Sequence, residues 1–355
     1  MDAIRVLYVG LKHDYGDPRR GLSFEYESFF ETLSRMKNVE AHDFAFDVLL
    51  RSLGRRGMSA KLTATIDELR PHLCFFVLFT DEIEKETLRT ITRSERTRTL
   101  NWFCDDHWRF DIFSRHVAPC FHWVATTDAL SAERYRRLGH PGVIKTQWAC
   151  NHFRYQPVSG LPTHDVSFVG QAHSSRRKSI DYVSARGVHV DCWGRGWSNG
   201  RVSHGRMLEI FSRSKVNLNF TESSISFGWK PVAKIVLKRR ADNTILLNSL
   251  REIRDTVSTM LRRQRPQIKG RNFEIPGTGG FLLTGNAEQL EEYYASGKEI
   301  EVFRDLDELV DKARFYLTHE EERERIRRAG YERTLREHTY EHRINEILRI
   351  VGLMK

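Results

Sequence analysis

The chain has 355 residues, of which 40% are hydrophobic and 11% aromatic, and its formal net charge is +10. This apolar content excludes a disordered chain, and no apolar run approaches the roughly 20 residues that a membrane span needs. The length suits two domains better than one core. The basic surplus is compatible with anionic partners such as phosphates, nucleotides, nucleic acid or acidic lipid, and equally with a solvated basic surface.

The cysteines favour an intracellular protein. All five are scattered singly, without a C-x-x-C pair, which argues against a zinc site. They are Cys74, Cys104, Cys120, Cys150 and Cys192. A dispersed, odd-numbered set is typical of reduced thiols. The first residues, MDAIRVLYVG, lack the charged start and long apolar core of a signal peptide. We therefore expect a cytoplasmic protein.

The first half of the chain has the pattern of an α/β domain. A predicted strand, IRVLYVG (4–10), is followed by a loop and by a segment with helical spacing over 23–36. Further apolar runs predict strands over 72–79, 99–106 and 123–128, and a short helix over 131–139 follows the last of them. Buried strands that alternate with helices predict a parallel sheet.

The same pattern starts again after the linker-like segment 157–164. Strands are predicted over 165–170, 188–194, 215–220, 280–284 and 301–303, and helices over 176–187 and 287–294. A charged helical tail from Leu306 to Leu353 completes the chain. Its apolar stripes are predicted packing faces; they comprise Leu309, Ala313, Tyr316 and Leu317, and then Ile344, Ile347, Leu348 and Val351.

These patterns predict a first domain over 1–157 and a second over 158–338. A C-terminal helix over 339–355 follows, and the sequence leaves open whether it crosses back to the first domain. Within the second domain, 230–265 has the composition of a basic amphipathic insertion. Apolar residues recur there at helical spacing among arginines: Leu246, Leu250, Ile253 and Val257 among Arg251, Arg254, Arg262 and Arg263. Such a helix packs on its own domain, on a second subunit or on an anionic membrane.

Ligands of open parallel sheets bind beyond the carboxyl ends of the strands, so the loops after predicted strands are the candidate sites. One loop follows Gly10 and contains Gly16, without the G-x-G-x-x-G spacing of a dinucleotide site. The loop CDDHWRFD (104–111) is dense in polar side chains, namely Asp105, Asp106, His107 and Arg109. The plainer alternative for this loop is a helix cap beside a core tryptophan.

A third loop, GQAHSSRRKS (170–179), follows the strand that ends at Gly170. Arg176 and Arg177 open a helix there, and guanidinium groups near helix N-terminal amides can bind a diphosphate. The alternative is a solvated basic helix start. The stretch KGRNFEIPGTGGFLLT (269–284) places a carboxylate between basic residues and a Pro/Gly-rich bend, and its notable residues are Lys269, Arg271, Glu274, Gly279 and Gly280.

In one interpretation, Lys269 joins Arg177 in neutralising a diphosphate. Glu274 then accepts hydrogen bonds from a ribose diol, and the two glycines allow the backbone to approach the ligand. In the other, 269–284 is a surface turn before a buried strand.

Taken together, four segments resemble the CgeB-like (spore-maturation-protein-like) branch of the group 1 glycosyltransferases. They are DVSFVG with the following Arg pair, KVNLNF, KGRNFEIPGTGGFLLT and the tail ERIRRAGYERTLREHTYEHRINEIL; WFCDDHWRFD is similar to members of the same branch. The resemblance implies an α/β protein of GT-B fold, in which two Rossmann-like domains with parallel sheets face a central cleft. It also implies a nucleotide-sugar donor held mainly by the second domain, and metal-independent transfer, usually with retention.

The chain departs from the branch at two positions. Relatives with the fuller motif carry Glu-x7-Glu; Glu274 matches the second Glu, and Pro266 stands where the first would fall. Many relatives have Arg directly after the second-domain Gly, where this chain has Gln171, and Arg177 matches the basic position downstream. The first-domain His of the branch falls near 105–107.

The favoured function is sugar transfer from a nucleoside-diphosphate donor to a hydroxyl acceptor, with Asp105, Asp106 or His107 orienting the acceptor or acting as base. Gly10, Gly16 and Arg109 then belong to the acceptor side. The side chains of the adjacent Asp105 and Asp106 should diverge, so we expect no metal site and no cofactor besides the donor.

Two alternative functions stay open. One is a nucleic-acid-directed protein, such as a DNA-modifying glycosyltransferase, although no binding motif appears. The other is a non-catalytic nucleotide-sugar-binding protein, and a homo-oligomer is compatible with each.

Overall fold

Two parallel sheets organise the chain in a computed structural model, which describes residues 3–221, 237–239, 245–247 and 265–355. The two long described ranges divide into two units. The first unit contains 3–147 and 340–355, and the second contains 148–221 and 265–339.

The first unit is built on six parallel strands in the order β2-β1-β3-β4-β5-β6. The strands are β1 (Ile4–Gly10), β2 (Val39–Ala45), β3 (Leu73–Phe76), β4 (Arg98–Phe103), β5 (Trp123–Thr126) and β6 (Val143–Lys145). The helices are α1 (Glu31–Leu33, preceded by the π-helix Tyr26–Phe30), α2 (Phe46–Leu69), α3 (Lys85–Arg93), α4 (Asp106–Arg109), α5 (Arg115–Val117) and α6 (Ala129–Arg137). Apolar side chains of the strands pack under these helices in a core that includes Val9, Phe76 and Val124.

The second unit has five parallel strands in the order β13-β12-β9-β7-β8. They are β7 (His164–Val169), β8 (Asp191–Trp193), β9 (Ser214–Asn219), β12 (Leu282–Gly285) and β13 (Glu301–Phe303). The helices are α7 (Ser174–Ala185), α8 (His204–Ser212), α9 (Arg271–Gly277), α10 (Leu306–Thr318) and α11 (Glu320–Glu337). One apolar cluster packs strand residues against α7 and α10, and a second packs strand residues against α8 and α9.

The last helix, α12 (Tyr340–Ile350), packs within the first unit. The Tyr340 ring meets Phe29 edge-on at a centroid distance of 5.3 Å, and Phe29 in turn lies 4.7 Å from Trp102. Ile344, Ile347, Leu348 and Val351 are all buried. The apolar stripe predicted for this helix is therefore a packing face, as is the stripe of Leu309, Ala313 and Tyr316 in α10.

The predicted strands are confirmed as elements of the two sheets. The first matches residue for residue (Ile4–Gly10), and the predicted 72–79 is shorter, ending at Phe76. The helix predicted over 287–294 is wrong in its extent, because only a 3-10 turn, Leu290–Glu292, forms there. The Pro/Gly-rich bend predicted directly after Glu274 begins later than expected, because 271–277 is helical with Pro276 inside it. The chain turns at Thr278 and Gly279, where the φ of Gly279 is 67°.

The sequence pattern missed several elements, including β2, α3 and the 24-residue α2. In the insertion, β10 (Leu237–Arg239) and β11 (Ile245–Leu247) form an antiparallel pair. The helix expected to include Leu246 therefore does not begin there. The rest of the predicted stripe, with its arginines, lies outside the described residues.

Candidate functional site

The second sheet reverses its strand order beside β7. β8 lies on one side of β7 and β9 on the other, so the connections between these strands run to opposite sides of β7. Such a reversal leaves a crevice at the carboxyl ends of the strands. The loop after β7 begins at Gly170, where a Cβ atom would approach the Phe168 ring to 2.7 Å. This close contact with Phe168 explains why position 170 is a glycine.

Arg176 lies in the first turn of α7, next to this crevice. Its guanidinium group donates a hydrogen bond to the Gln171 carbonyl at 3.1 Å and lies 5.5 Å from the Phe168 ring centroid. Burial lowers the pKa of Arg176, and the positive charge of Arg271 on α9 lowers it further. Two guanidinium groups from separate helices thus repel each other at this end of the sheet, an arrangement that an anion between them would stabilise.

Glu274 lies inside the unit, with 1% of its surface exposed. The Tyr155 hydroxyl donates to its Oε1 at 2.9 Å, and the Arg271 guanidinium donates to Oε2. Burial opposes the charge on Arg271, but Glu274 and Tyr155 more than offset this and raise the pKa of Arg271. The structure therefore shows Glu274 as one member of a buried Tyr155–Glu274–Arg271 group.

A buried polar network fixes the start of α9. The Asn272 side chain accepts a hydrogen bond from the Lys269 amide at 2.9 Å and donates to the Thr284 hydroxyl at 3.1 Å. Asn219 donates to both Asn272 and Thr284, at 3.2 and 3.0 Å. The network joins β9, β12 and α9, so the backbone of Lys269 and Arg271 is held firmly at the strand ends.

Other predicted donor-site residues have local partners. Arg177 is exposed; it donates to the Gly196 carbonyl and lies 5.1 Å from the Trp197 ring, towards β8. Gly279 has a φ of 67°, and a Cβ atom at Gly280 would approach the Phe211 carbonyl oxygen to 2.7 Å. Both glycines are buried and are required by the fold of the second unit itself.

A pocket of about 510 Å³ lies at the ends of β9, β12 and β13. Ser179, one turn after Arg176 on α7, lines it together with Thr221, Asn286 and Arg304. Pro266, the position of the first Glu in the fuller motif, lines it as well. Its volume is within the usual range of small-molecule sites.

The side chains of the polar cluster after β4 in the first unit do not all point the same way, because of the backbone conformation there. Asp105 has a φ of 58° and is exposed, whereas Asp106 and His107 are buried. The Tyr135 hydroxyl donates to Asp106 Oδ2 at 2.9 Å, and burial raises the pKa of Asp106 to about 7. Arg109 donates to the Phe79 carbonyl. The three candidate residues 105–107 thus do not share one surface, and only Asp105 faces solvent.

Sequence reasoning missed two further features of the first unit. The pKa of Glu25 is raised to about 7, by burial and then by the negative charges of Asp105 and Asp14. Because Glu25 is near Asp105 in space but 80 positions away in sequence, no local pattern could have paired them.

The second missed feature is a His–Asp pair that joins the loop after β1 to the first turn of α2. Nδ1 of His13 lies 3.0 Å from Oδ2 of the buried Asp47. The Asp47 carboxylate also accepts hydrogen bonds from the amides of Lys12 and His13, at 2.9 and 3.1 Å. β1 has β2 on one side and β3 on the other, so this loop follows the strand at the reversal of the first sheet. Gly16, in the same loop, has a φ of 68°, and a Cβ atom at Gly10 would clash with the Tyr8 ring.

Among the described residues, no group of three or more His, Cys, Asp or Glu side chains is arranged to hold a metal ion. All five cysteines are buried free thiols. Within the ranges that the structure describes, no helix is both long and apolar enough to cross a membrane.

Comparison with known proteins agrees with this architecture. A family model described as "Glycosyl transferase-like" matches residues 176–349. No curated protein matches the chain. Taken with the fold, the family match supports a glycosyltransferase.

Solved structures with the same fold are distant in sequence. Anabaena Alr3699/HepE in complex with UDP has a TM-score of 0.59 at 11% identity, over 97% of this chain and 99% of that one. A glycosyltransferase from Rickettsia africae has a TM-score of 0.58 at 8% identity, over 99% and 100%. TarM has a TM-score of 0.53 at 8% identity over 83% of this chain, which spans 58% of TarM. The fold is thus the GT-B fold of glycosyltransferases.

Proposed function

We propose that the protein transfers a sugar from a nucleoside-diphosphate donor to a hydroxyl acceptor, without a metal ion and with retention at the anomeric carbon. The observation that carries the proposal is the pair of guanidinium groups, Arg176 and Arg271, whose charges interact at the strand-order reversal of the second sheet. Fixed cations there would stabilise the diphosphate as it leaves, which is the role that a metal ion has in other transferases.

The donor would be distributed over the second unit. Arg176 and Arg271, with Lys269 at the start of α9, would bind the diphosphate. The 510 Å³ pocket, lined by Thr221, Asn286 and Arg304, would take the sugar, since these side chains can hydrogen-bond to hydroxyls. Arg177 and the Gly170 loop remain candidates for the outer side of the diphosphate. The structures of Alr3699/HepE contain UDP or UDP-glucose, which makes UDP-sugars the first donors to test.

The acceptor would use the first unit. Asp105 is the exposed carboxylate of the predicted catalytic cluster, and a carboxylate can orient a hydroxyl by accepting its hydrogen bond. In a retaining transfer the leaving phosphate can take the acceptor proton, so no protein base is required. We also propose that the chain lies in the CgeB-like branch, on the four segments that resemble it.

One observation favours a different stereochemical outcome. The His13–Asp47 pair has the geometry of a general base with its orienting carboxylate, and a base in the first unit that activates the acceptor would give inversion. NMR assignment of the anomeric configuration of the product separates the two outcomes directly.

The proposal is tested by thermal unfolding with UDP, GDP, dTDP and CMP, followed by turnover with the matching sugar nucleotide in EDTA. A nucleotide at 100 times its dissociation constant should stabilise the fold by about 2.7 kcal/mol. Stabilisation without turnover would favour a non-catalytic binding protein. Loss of turnover in EDTA with recovery in Mg²⁺ or Mn²⁺ would contradict the metal-free mechanism. Salt-sensitive DNA binding without any nucleotide effect would favour the nucleic-acid alternative.

A further inference from the structure

We infer that the first unit docks on an anionic membrane surface. The docking face is formed by part of the loop after β1 (13–20) and by the start of α2 (46–56), and we call it the loop–helix surface. The inference goes beyond sugar transfer and does not depend on it. It also concerns a different part of the chain from the basic segment 230–265.

The loop is held against the start of α2, which makes the two segments one surface. The Arg51 guanidinium donates a hydrogen bond to the Gly16 carbonyl, and Nδ1 of His13 lies 3.0 Å from Oδ2 of Asp47. A Cβ atom at Gly16 would lie 3.5 Å from the Cβ of Asp47. The side chains that the loop and the helix start turn towards solvent are therefore neighbours.

Large apolar side chains are concentrated on the loop–helix surface. Among the residues that the structure describes, nine large hydrophobic side chains are exposed, and three of them lie here: Tyr15 (83% exposed), Leu53 (47%) and Val48 (45%). Leu49 and Leu50, between the last two, pack against the core. The helix start thus has apolar side chains towards solvent as well as towards the core. Single exposed apolar residues are ordinary, whereas a group of them is typical of an interaction site.

The backbone places Tyr15 in solvent under strain. Its φ of 52° is in the left-handed region, which is unfavourable for a bulky aromatic residue. The Arg20 guanidinium lies 4.4 Å from the ring centroid and pairs with Asp14 at 2.8 Å. Strained residues cluster at functional sites, and tyrosine is enriched where a membrane meets water.

Positive charge surrounds these apolar side chains. Residues 11–20 and 47–56 contain six Lys and Arg residues and three Asp residues, so positive charge is in excess. One of the three carboxylates, that of Asp47, is buried. The exposed cations include Arg19 and Arg56.

This combination fits a bilayer better than it fits a nucleic acid. Anionic headgroups attract Lys and Arg, and apolar side chains gain free energy at the boundary between headgroups and acyl chains. A nucleic acid would use the same cations through its phosphates, but it would leave Val48 and Leu53 in water. The exposed apolar group therefore favours the membrane.

Vesicle sedimentation of the full chain tests the inference. The vesicles are phosphatidylcholine alone, or phosphatidylcholine and phosphatidylglycerol in equal parts, at about 0.1 M salt, where charges interact over about 10 Å. The wild type should sediment with the mixed vesicles only. Arg19→Gln/Arg56→Gln should lower the partition coefficient roughly 10- to 30-fold, because each lost cation weakens the attraction to the surface. Tyr15→Asn/Leu53→Gln should lower it by about 10-fold or more, because apolar area no longer leaves water.

The second unit supplies a matched control. Lys178→Gln/Arg328→Gln also removes two exposed cations, outside the loop–helix surface, and it should sediment like the wild type. Thermal unfolding checks that every variant folds, and asparagine tolerates the left-handed φ of position 15. If the apolar double variant does not fold, Leu53→Gln alone replaces it.

Four outcomes would overturn the inference. The first is that the wild type does not sediment with the mixed vesicles. The second is an equal loss in the control and in Arg19→Gln/Arg56→Gln, which would show a response to general positive charge. The third is wild-type binding in both loop–helix variants, which would place the contact elsewhere, for example in 230–265. The fourth is a loss only in the charge variant, together with a parallel loss of binding to duplex DNA, which would make the surface a site for nucleic acid.

Discussion

The candidate site residues at the carboxyl ends of the two sheets differ in charge. In the second unit the first turns of α7 and α9 carry guanidinium groups, Arg176 and Arg271, whose charges interact. In the first unit the stretch after β4 carries the carboxyl groups of Asp105 and Asp106, and the charge of Asp105 also acts on Glu25. Both units use the same parallel architecture, so the architecture sets where a ligand binds and the loop residues set which ligand it is. Cations suit a diphosphate, and carboxyl groups suit hydroxyls.

The largest effect should come from removing a cation of the second unit. Arg176→Ala should weaken nucleoside-diphosphate binding by about 2 kcal/mol, roughly 30-fold, because charge-assisted hydrogen bonds to the phosphates are lost. Calorimetry measures this, with Lys178→Ala as control, since Lys178 is an exposed cation on the same helix. Equal losses in the two variants would mean that α7 contributes only general positive charge.

Titration of a buried carboxyl group in the first unit should make the stability of the protein depend on pH. Burial raises the pKa of Asp106 to about 7, whereas the pKa of an Asp in an unfolded chain is about 3.9. Between these values the folded protein holds a proton that the unfolded chain has released. Stability should therefore fall as the pH rises from about 4 to 7, and the loss is complete above 7.

The isosteric variant Asp106→Asn tests this assignment, because it removes the titrating group. We expect it to match the wild type near pH 4 and to be more stable at pH 8 by roughly 1–3 kcal/mol. Urea unfolding at several pH values provides the measurement. Glu25 titrates in the same window, so a smaller slope should persist in the variant. Parallel curves for variant and wild type would show that Asp106 is ionised in the folded protein.

The smallest effect should come from the His13–Asp47 pair, if the first unit supplies orientation and no base. His13→Gln should lower kcat by less than about 10-fold, or 1.4 kcal/mol, and leave the anomeric configuration of the product unchanged. A loss of about 10²- to 10⁴-fold, together with an inverted product in the wild type, would instead make His13 the general base. Asp47→Asn should then lower kcat as well, because Asp47 orients the His13 ring.

The sequence by itself determined the elements whose pattern is local. The strand Ile4–Gly10, the strand around Phe168 and the helices of the tail follow from short apolar runs and helical stripes, which fix each element before it packs. The two successive α/β halves follow from the order of those elements. β2, with an exposed and mixed pattern, has no such periodicity and was missed.

The tertiary structure alone decided the partners and the burial of the site residues. The hydroxyl of Tyr155 meets a carboxylate 119 residues away, and Asp47 meets a histidine 34 residues away. Glu274 lies in a helix despite Pro276, because the packing of Phe273 and Ile275 in the core outweighs the local tendency to bend. Residue types along the chain indicate which chemistry is available, but burial and long-range contacts determine each group's charge and which ligand atoms it can reach.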